Sequence, residues 1–166
     1  MLKALSELKL RGNFHVECFD KDGNLKWVEE GHNLVVNEGL NHILDVQFHA
    51  ETQVTTWYVG LKGTGSEAAG DTLASHAGWS EITAYTGDRK EFVEGAASSQ
   101  QISNTGNAAS FSITGTATVA GAFICSVSTG SAGKLFCVAD FSSPRSVDNG
   151  DTLNVTYTIT AADDGV

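Results

Sequence analysis

The stretch Leu153-Asn154-Val155-Thr156-Tyr157-Thr158-Ile159-Thr160 decides the fold of this chain. Its apolar residues alternate strictly with Asn and Thr, so one face is apolar and the other is polar. A period of two is the pattern of a half-buried β-strand, whose successive side chains point to opposite sides. The polar face is rich in Thr, uncharged, and without a nucleophile, base or metal ligand. The stretch predicts a strand in a protein that holds a shape and presents a surface.

Shorter apolar runs precede this strand at 111–114, 122–127 and 135–139, and turn-forming Gly, Ser, Asn and Asp residues separate them. Nearer the start of the chain, runs at 13–19 and 25–29 flank a turn that contains Asp-Gly, which is a strong hairpin signal. The chain has 18 Gly and a single Pro, as expected of many tight turns. Further short strands are expected at 32–36, 55–61, 79–83 and 89–94.

One helix is expected near residues 38–49, where Asn37 is a plausible cap. Its apolar stripe consists of Leu40, Ile43, Leu44 and Phe48. Together these signals predict a mainly β protein: an antiparallel β-sandwich, Ig-like or jelly-roll-like, with one short α-helix. We expect residues 12–166 to form a single domain of this kind. Residues 1–11 are expected to precede it as an extended N-terminal arm or one short amphipathic turn, since the segment is too short to be a stable helix alone.

Charge and cysteine content exclude several classes of protein. The formal net charge is −10 and the ten basic residues are scattered, so we expect no nucleic-acid partner. No run of 18 apolar residues suggests a membrane span, and residues 1–11 lack the apolar core of a signal peptide. The chain has an odd number of cysteines, and none of them is in a CxxC motif: Cys18, Cys125 and Cys137. This pattern favours buried, reduced thiols in a protein made in a reducing cytoplasm. Whether Cys125 and Cys137 pair across a hairpin is open.

Catalytic and metal-binding patterns are weak. His42, Asp45 and His49 share one side of the predicted helix, but they lack the close His pair of zinc helices and are expected to face solvent. The carboxylates of Glu29 and Glu67 are assigned to the surface, together with their acidic neighbours. We therefore expect no catalytic residues, no metal site, no cofactor and no enzymatic activity.

Several segments carry a family resemblance. They are 33–41 (NLVVNEGLN), 57–61 (WYVGL), 69–79 (AGDTLASHAGW), 121–123 (GAF) and 147–159 (VDNGDTLNVTYTI). In this order they resemble small virion proteins of tailed bacteriophages, over about residues 12–160. The resemblance implies a structural component of a phage particle and carries no catalytic residues.

Within that group the pattern is most similar to capsid decoration, or cement, proteins. The resemblance thus implies a head decoration protein that binds the outer capsid surface and bridges capsid subunits to stabilise the shell. Its partner would be the major capsid protein, and the chain would form a homo-oligomer around a capsid symmetry axis. It would bind neither nucleic acid nor a membrane. It would lie on the capsid exterior of a virion assembled in the host cytoplasm. The alternative is a tail or fibre component with a receptor- or glycan-binding β-sandwich.

Candidate binding residues follow from the arm and from two long segments. Residues 63–78 and 95–109 exceed the usual length of strand connections, and long loops on a rigid scaffold often carry binding residues. For Trp79 core packing is the favoured interpretation, and an interface anchor is the alternative. Its two basic neighbours are candidate partners for carboxylates. The predicted partner-binding residues are Leu2, Leu5, Leu8, Trp79, Arg89 and Lys90.

Overall fold

The computed structural model describes residues 8–163, which form ten strands and one α-helix. In chain order these are β1 (Leu8–Phe19), β2 (Leu25–Val35), α1 (Asn37–Phe48), β3 (Tyr58–Gly65), β4 (Trp79–Ile82), β5 (Lys90–Glu91), β6 (Gln101–Ser103), β7 (Ala109–Ser112), β8 (Ala117–Cys125), β9 (Leu135–Val147) and β10 (Thr152–Asp163). The mainly β fold with one short helix is confirmed.

The strands form two antiparallel sheets that share β2. In the first sheet β1 lies between β2 and β10, and both β6 and β7 pair with β10. In the second sheet the order is β3-β8-β9-β2, with β4 and β5 paired to β3. The strand β2 pairs with β1 as far as His32 and then with β9 from Asn33 to Val35. This change of partner joins the two layers of an antiparallel β-sandwich.

The main core lies between the sheets and contains the apolar face predicted for the last strand. Leu153, Val155 and Tyr157 are fully buried. The ring of Tyr157 stacks on Phe14 of β1 with 4.2 Å between centroids. Its hydroxyl accepts a 2.7 Å hydrogen bond from the amide of Asn33, which satisfies the polar end of a buried ring. The strict alternation in the sequence therefore identified the centre of the fold.

A second apolar cluster lies around Phe123 of β8 and Val138 of β9 and includes Leu73 and Trp79. Residues 66–78, predicted as an exposed loop, supply Leu73 to this cluster. Two hydrogen bonds tie the segment to α1: the Asn37 amide donates to the Ala69 carbonyl (2.8 Å), and the Leu73 amide donates to Glu38 Oε2 (3.2 Å). This segment therefore covers a sheet, and residues 63–65 belong to β3.

The predicted arm differs from the structure where the two overlap. Residues 8–11 form the beginning of β1, because β10 is long enough to pair with them up to Leu8 opposite Asp163. Leu2 and Leu5 lie outside the described residues. The other long segment, 95–109, contains β6 and the first residue of β7.

The helix is where the sequence predicts it, but it is capped and oriented differently. Its N-cap is Val36, without a side-chain cap bond, and its buried residues are Gly39 and His42. A Cβ at Gly39 would lie 2.3 Å from the carbonyl oxygen of Phe136, so only glycine allows the helix to approach β9 this closely. Because that side faces the sheet, most of the predicted apolar stripe is turned outward.

All three cysteines are buried and free. In the β8–β9 register Cys137 lies opposite Ile124, and Cys125 lies opposite Leu135, so the two thiols do not face each other. Within residues 8–163 no helix has the length and apolar character needed to cross a membrane.

Candidate interaction surface

Trp79 is part of the second apolar cluster and only 6% exposed. Its indole Nε1 donates a 2.9 Å hydrogen bond to Oδ2 of Asp71, and its ring stacks on His76 with 4.1 Å between centroids. The ring also packs against that of Phe123, with 5.3 Å between centroids. A side chain packed and hydrogen-bonded in this way fits the core interpretation and is not an exposed anchor.

Arg89 is also buried rather than presented to a partner. Its guanidinium forms a two-point ion pair with Glu81, at 2.8 and 2.7 Å. It donates further bonds to the carbonyls of Val127 (3.0 Å) and Gly130 (2.9 Å) and lies over the ring of Phe123. This arrangement raises the pKa of Arg89 further, chiefly through the hydrogen bonds that the guanidinium donates to Glu81. The guanidinium is thus committed to internal contacts.

Lys90, the second basic candidate, lies beside aromatic rings at the edge of the main core. Its ammonium donates a 2.7 Å hydrogen bond to the carbonyl of Thr86. It also lies 5.5 Å from the ring centroid of Tyr85 and 5.9 Å from that of Phe111. Of the predicted residues within the described range, only Leu8 is largely exposed, at 71%.

A buried cation that the sequence analysis did not single out lies on β3. Lys62 is fully buried and forms an ion pair with Asp140 of β9. It also donates a 2.6 Å hydrogen bond to the carbonyl of Gly65, and Oε2 of Glu67 lies 3.8 Å from its nitrogen. Burial, followed by the neighbouring Asp140 carboxylate, raises the pKa of Glu67. This cluster joins β3 to β9 across β8, and all its contacts are internal to the chain.

Glu29 was assigned to the surface but is only 3% exposed. It accepts hydrogen bonds of 2.5 Å from both Ser142 and Arg145. Burial alone would raise the pKa of this carboxyl group, but the two hydrogen bonds hold it below its usual value. Glu29 therefore anchors β2 to β9.

The polar residues of α1 do not form a shared site. His42 was predicted to face solvent but is only 5% exposed. Its Nδ1 forms a 3.2 Å hydrogen bond with Oε2 of Glu51, and its ring packs edge-on against that of Trp57. His49 is exposed after the end of the helix. In the described part of the chain no three His, Cys, Asp or Glu side chains are placed to hold a metal ion.

An apolar groove lies between α1 and the start of β1 and is called the α1–β1 groove. It consists of two adjoining cavities of about 490 and 540 Å³ that share four lining residues, Leu8, Leu10, Ile43 and Leu44. Trp57, Phe92, Phe136 and Ile159 belong to the lining of the first cavity. The groove thus opens directly above the main core.

Large apolar side chains border the groove and remain open to solvent. Leu8 is 71% exposed, Leu44 is 55% exposed and Phe48 is 80% exposed. Among residues 8–163 Phe48 is the one aromatic side chain classed as exposed. Contiguous exposed apolar surface marks interaction sites in soluble proteins. The sequence pattern identified the helix leucines but not their exposure or their proximity to β1.

The outer face of the first sheet is polar by contrast. It carries His15 opposite Glu30, with a 2.5 Å hydrogen bond between them, and the uncharged Thr156 on the neighbouring strand. Aromatic side chains suited to stacking on a sugar are absent from the exposed residues of this face within the described chain. The α1–β1 groove is therefore the stronger candidate for an interaction surface.

Comparison with known proteins identifies the family. Residues 32–161, more than half of the chain, match the family described as podophage GP4 fiber I protein gp80. The match begins where β2 joins the second sheet and includes α1 and β3 to β9. No curated protein matches the chain. The family name supports the expected phage virion structural protein, and it favours the fibre alternative over capsid decoration. The chain therefore belongs to the podophage GP4 fiber I protein gp80 family and is a phage virion structural protein.

Proposed function

We propose that this chain is a structural subunit of a podophage fibre. The observation that carries the proposal is the family match over residues 32–161. Because the matched region contains α1, the second sheet and the second apolar cluster, the similarity extends over folded structure and is not confined to a short motif. A fibre location replaces our leading expectation of a decoration protein on the capsid exterior.

The internal chemistry of the chain supports a mechanical role. Ion pairs of Lys62 with Asp140 and of Arg145 with Glu29 connect strands distant in sequence. In each pair one partner is buried, Lys62 in the first and Glu29 in the second, so breaking the pair would leave a buried charge without its counter-ion. Such pairs therefore favour one arrangement of the strands. In this proposal the chain has no catalytic step and no cofactor, and it transmits load through a rigid sandwich.

The proposed partners are other virion proteins, including further copies of this chain arranged about a symmetry axis. Closed symmetric assemblies multiply weak contacts by avidity, which suits a fibre attached at one end. Nucleic acid is not part of the proposal, because the net charge is −10 and buried ion pairs occupy two of the ten basic residues, Lys62 and Arg89.

Immunogold electron microscopy of intact phage tests the assignment. Antibodies against the purified chain should label fibres, while antibodies against the major capsid protein label heads in the same preparation. A phage that lacks the gene should retain stable, filled heads and lose fibres. Uniform labelling of heads, with a copy number close to that of the major capsid protein, would overturn the fibre proposal in favour of decoration.

A further inference from the structure

We propose that Lys62 and Asp140 become joined by an amide bond that the folded chain forms by itself, with Glu67 as the group that transfers the protons. The structure holds the two side chains as an ion pair, which is the arrangement from which they would condense. The reaction occurs once in each chain and turns over no external substrate. It does not depend on the fibre assignment, because it concerns only groups within one chain.

The register of the second sheet places the two residues on one face. Lys62 of β3 pairs with Gly121 of β8, and Gly121 pairs in turn with Asp140 of β9. Side chains of directly paired residues lie on the same face of a sheet. Because Gly121 has no side chain, the Lys62 side chain crosses β8 without obstruction and contacts the Asp140 carboxylate. A Cβ at Gly121 would lie 1.9 Å from the carbonyl oxygen of Ala139, so only glycine fits between the two residues.

The surroundings of Lys62 favour attack by its nitrogen. Its side chain is fully buried, and removal from water is one of the ways in which proteins make a lysine amine nucleophilic. A buried ion pair can become neutral by passing one proton from the ammonium to the carboxylate, which leaves an amine beside a carboxylic acid. Reactants that already touch also avoid the entropy cost of meeting, an advantage equivalent to a very high concentration.

Glu67 supplies the second carboxyl group that the condensation requires. Its Oε2 lies 3.8 Å from the Lys62 nitrogen, is shielded from solvent and accepts no hydrogen bond within residues 8–163. Burial, followed by the neighbouring Asp140 carboxylate, raises the pKa of Glu67, so this carboxyl group holds a proton where an ordinary glutamate has lost it. A carboxyl group in that state can give a proton to a leaving oxygen and take one from a nitrogen.

The atoms balance as the loss of one water. After the ammonium has passed a proton to the Asp140 carboxylate, the lone pair of the Lys62 nitrogen attacks Cγ of Asp140 and forms the C–N bond. The protonated Glu67 gives its proton to the hydroxyl oxygen on Cγ, the C–O bond breaks, and water leaves. Glu67 then takes a proton from the nitrogen and is restored, so nothing is oxidised or reduced. The Asp140 side chain is 42% exposed, which gives the water a route to solvent.

A second lysine with two carboxylates shows why the proposal is limited to Lys62. The Lys26 nitrogen lies 2.6 Å from Oδ2 of Asp151 and 3.2 Å from Oδ2 of Asp148. Its side chain is 28% exposed, and hydrogen bonding to Asp151 raises the pKa of Lys26. A nitrogen that stays protonated has no lone pair for attack. We therefore expect one amide in the chain, at Lys62, and none at Lys26.

The amide would join β3 covalently to β9 across β8. Its two residues are 78 positions apart, so the bond would close a long loop and restrict the unfolded chain in the way that a disulfide does. Glu67 would stay buried beside the new bond, so its pKa would remain above the ordinary value. A covalent link also resists a pull that would separate an ion pair, which suits a virion structural protein.

Mass spectrometry of the folded full chain, under denaturing conditions, tests the proposal. The intact mass should be lower than the sequence mass by one water. Trypsin should not cleave after the modified Lys62, so peptides 27–89 and 135–145 should be recovered as one branched product. Without the bond, digestion gives the separate peptides 27–62, 63–89 and 135–145. Separate peptides together with the full sequence mass would overturn the proposal.

Three variants of the full chain attribute the loss of water to these groups. Lys62→Arg keeps the positive charge but has no nucleophilic amine, and Asp140→Ala removes the carbon that is attacked. Both should retain their full sequence mass. Lys90→Arg is the matched control, since the Lys90 ammonium bonds to a carbonyl outside the cluster, and it should lose one water as the original chain does. A loss of water that persists in Lys62→Arg, for example from a succinimide at Asp22-Gly23, would contradict the proposal.

Glu67→Gln separates proton transfer from simple pairing of the other two side chains. Glutamine has a similar shape but neither gives nor takes a proton in this step. Bond formation in this variant should be slower by at least about a hundredfold, the usual size of general acid–base assistance. Intact masses of freshly synthesised protein, sampled over time, give the two rates, and equal rates would overturn the role of Glu67. If a variant does not fold, the tryptic peptides of the original chain still decide whether the bond is present.

Discussion

The indole nitrogen of Trp79 donates a buried hydrogen bond to Oδ2 of Asp71, 2.9 Å away, and the same carboxylate oxygen accepts the amide of Ala68. Asp71 therefore closes the turn of residues 68–71 and fixes the ring that packs on Phe123. Since this pair holds residues 66–78 against the second sheet, the segment once expected to bind a partner is part of the fold.

Replacing Trp79 with Ala should destabilise the protein by about 3–5 kcal/mol, because it leaves a cavity and removes one of the two hydrogen bonds to Oδ2 of Asp71. Urea unfolding followed by circular dichroism measures the change. Val93→Ala, at a residue that is 45% exposed, serves as the control and should change stability by less than about 0.5 kcal/mol. A Trp79→Ala variant as stable as the Val93→Ala variant would contradict the assignment of this ring to the core.

Replacing Arg89 with Ala should cost about 3–5 kcal/mol, since Glu81 and two carbonyl groups would lose their buried donors. Arg89→Lys should restore little of this loss, because an ammonium cannot reproduce the two-point bond to a carboxylate. The neighbouring Lys90→Ala variant controls for removal of a positive charge. Thermal unfolding of the three variants distinguishes them, and full rescue by Lys would show that only the charge matters at this position.

The strands were predictable because the pattern that forms each of them lies within a few neighbouring residues. The alternation from Leu153 to Thr160 requires one apolar and one polar face wherever the strand lies, and the structure buries Leu153, Val155 and Tyr157. The Asp22-Gly23 turn was equally clear, since Gly23 adopts a φ of +83°, which glycine reaches without strain. Both features depend on neighbours within a few residues.

The surface was not predictable because it depends on contacts between distant residues. Helical periodicity shows which side chains share a face, but the close approach of Gly39 to Phe136 decides which face meets the sheet. A lysine in a strand is ordinarily expected to be exposed. Lys62 is instead buried because it pairs with Asp140, which lies 78 residues further along the chain. The α1–β1 groove likewise requires β1 and α1 to be adjacent in space, which no local pattern expresses.

Replacing His42 with Asn should destabilise the protein by about 1–3 kcal/mol, contrary to what a solvent-facing position would give. The ring is buried against Trp57 and hydrogen-bonded to Glu51, and the shorter Asn side chain does not fill the same space. His49→Asn, at an exposed position seven residues later, is the control and should be neutral. Chemical unfolding at neutral pH measures both, and indistinguishable stabilities would place His42 outside the packed interface.

Replacing Glu67 with Gln should increase stability relative to the original chain as pH rises. Burial and the Asp140 carboxylate raise the pKa of Glu67 in the folded state above its ordinary value of 4.5, which outweighs the opposing attraction of Lys62. Between the ordinary and the raised pKa the folded chain holds a proton that the unfolded chain has released, so this group's contribution to stability is lost as pH increases. Glutamine does not titrate and keeps a hydrogen-bond donor toward Asp140.

The free energy of unfolding of Glu67→Gln and of the original chain should therefore be compared from pH 4 to pH 8. The difference should move in favour of the variant across that range, whereas Glu94→Gln, at an exposed position, should follow the original chain in parallel. Lys62 and Asp140 are unchanged in both variants, so the slope of the difference reports the proton on Glu67. A difference that stays constant, or that moves against Glu67→Gln at high pH, would mean that Glu67 is ionised beside Lys62 throughout and acts as a second partner of the buried ammonium.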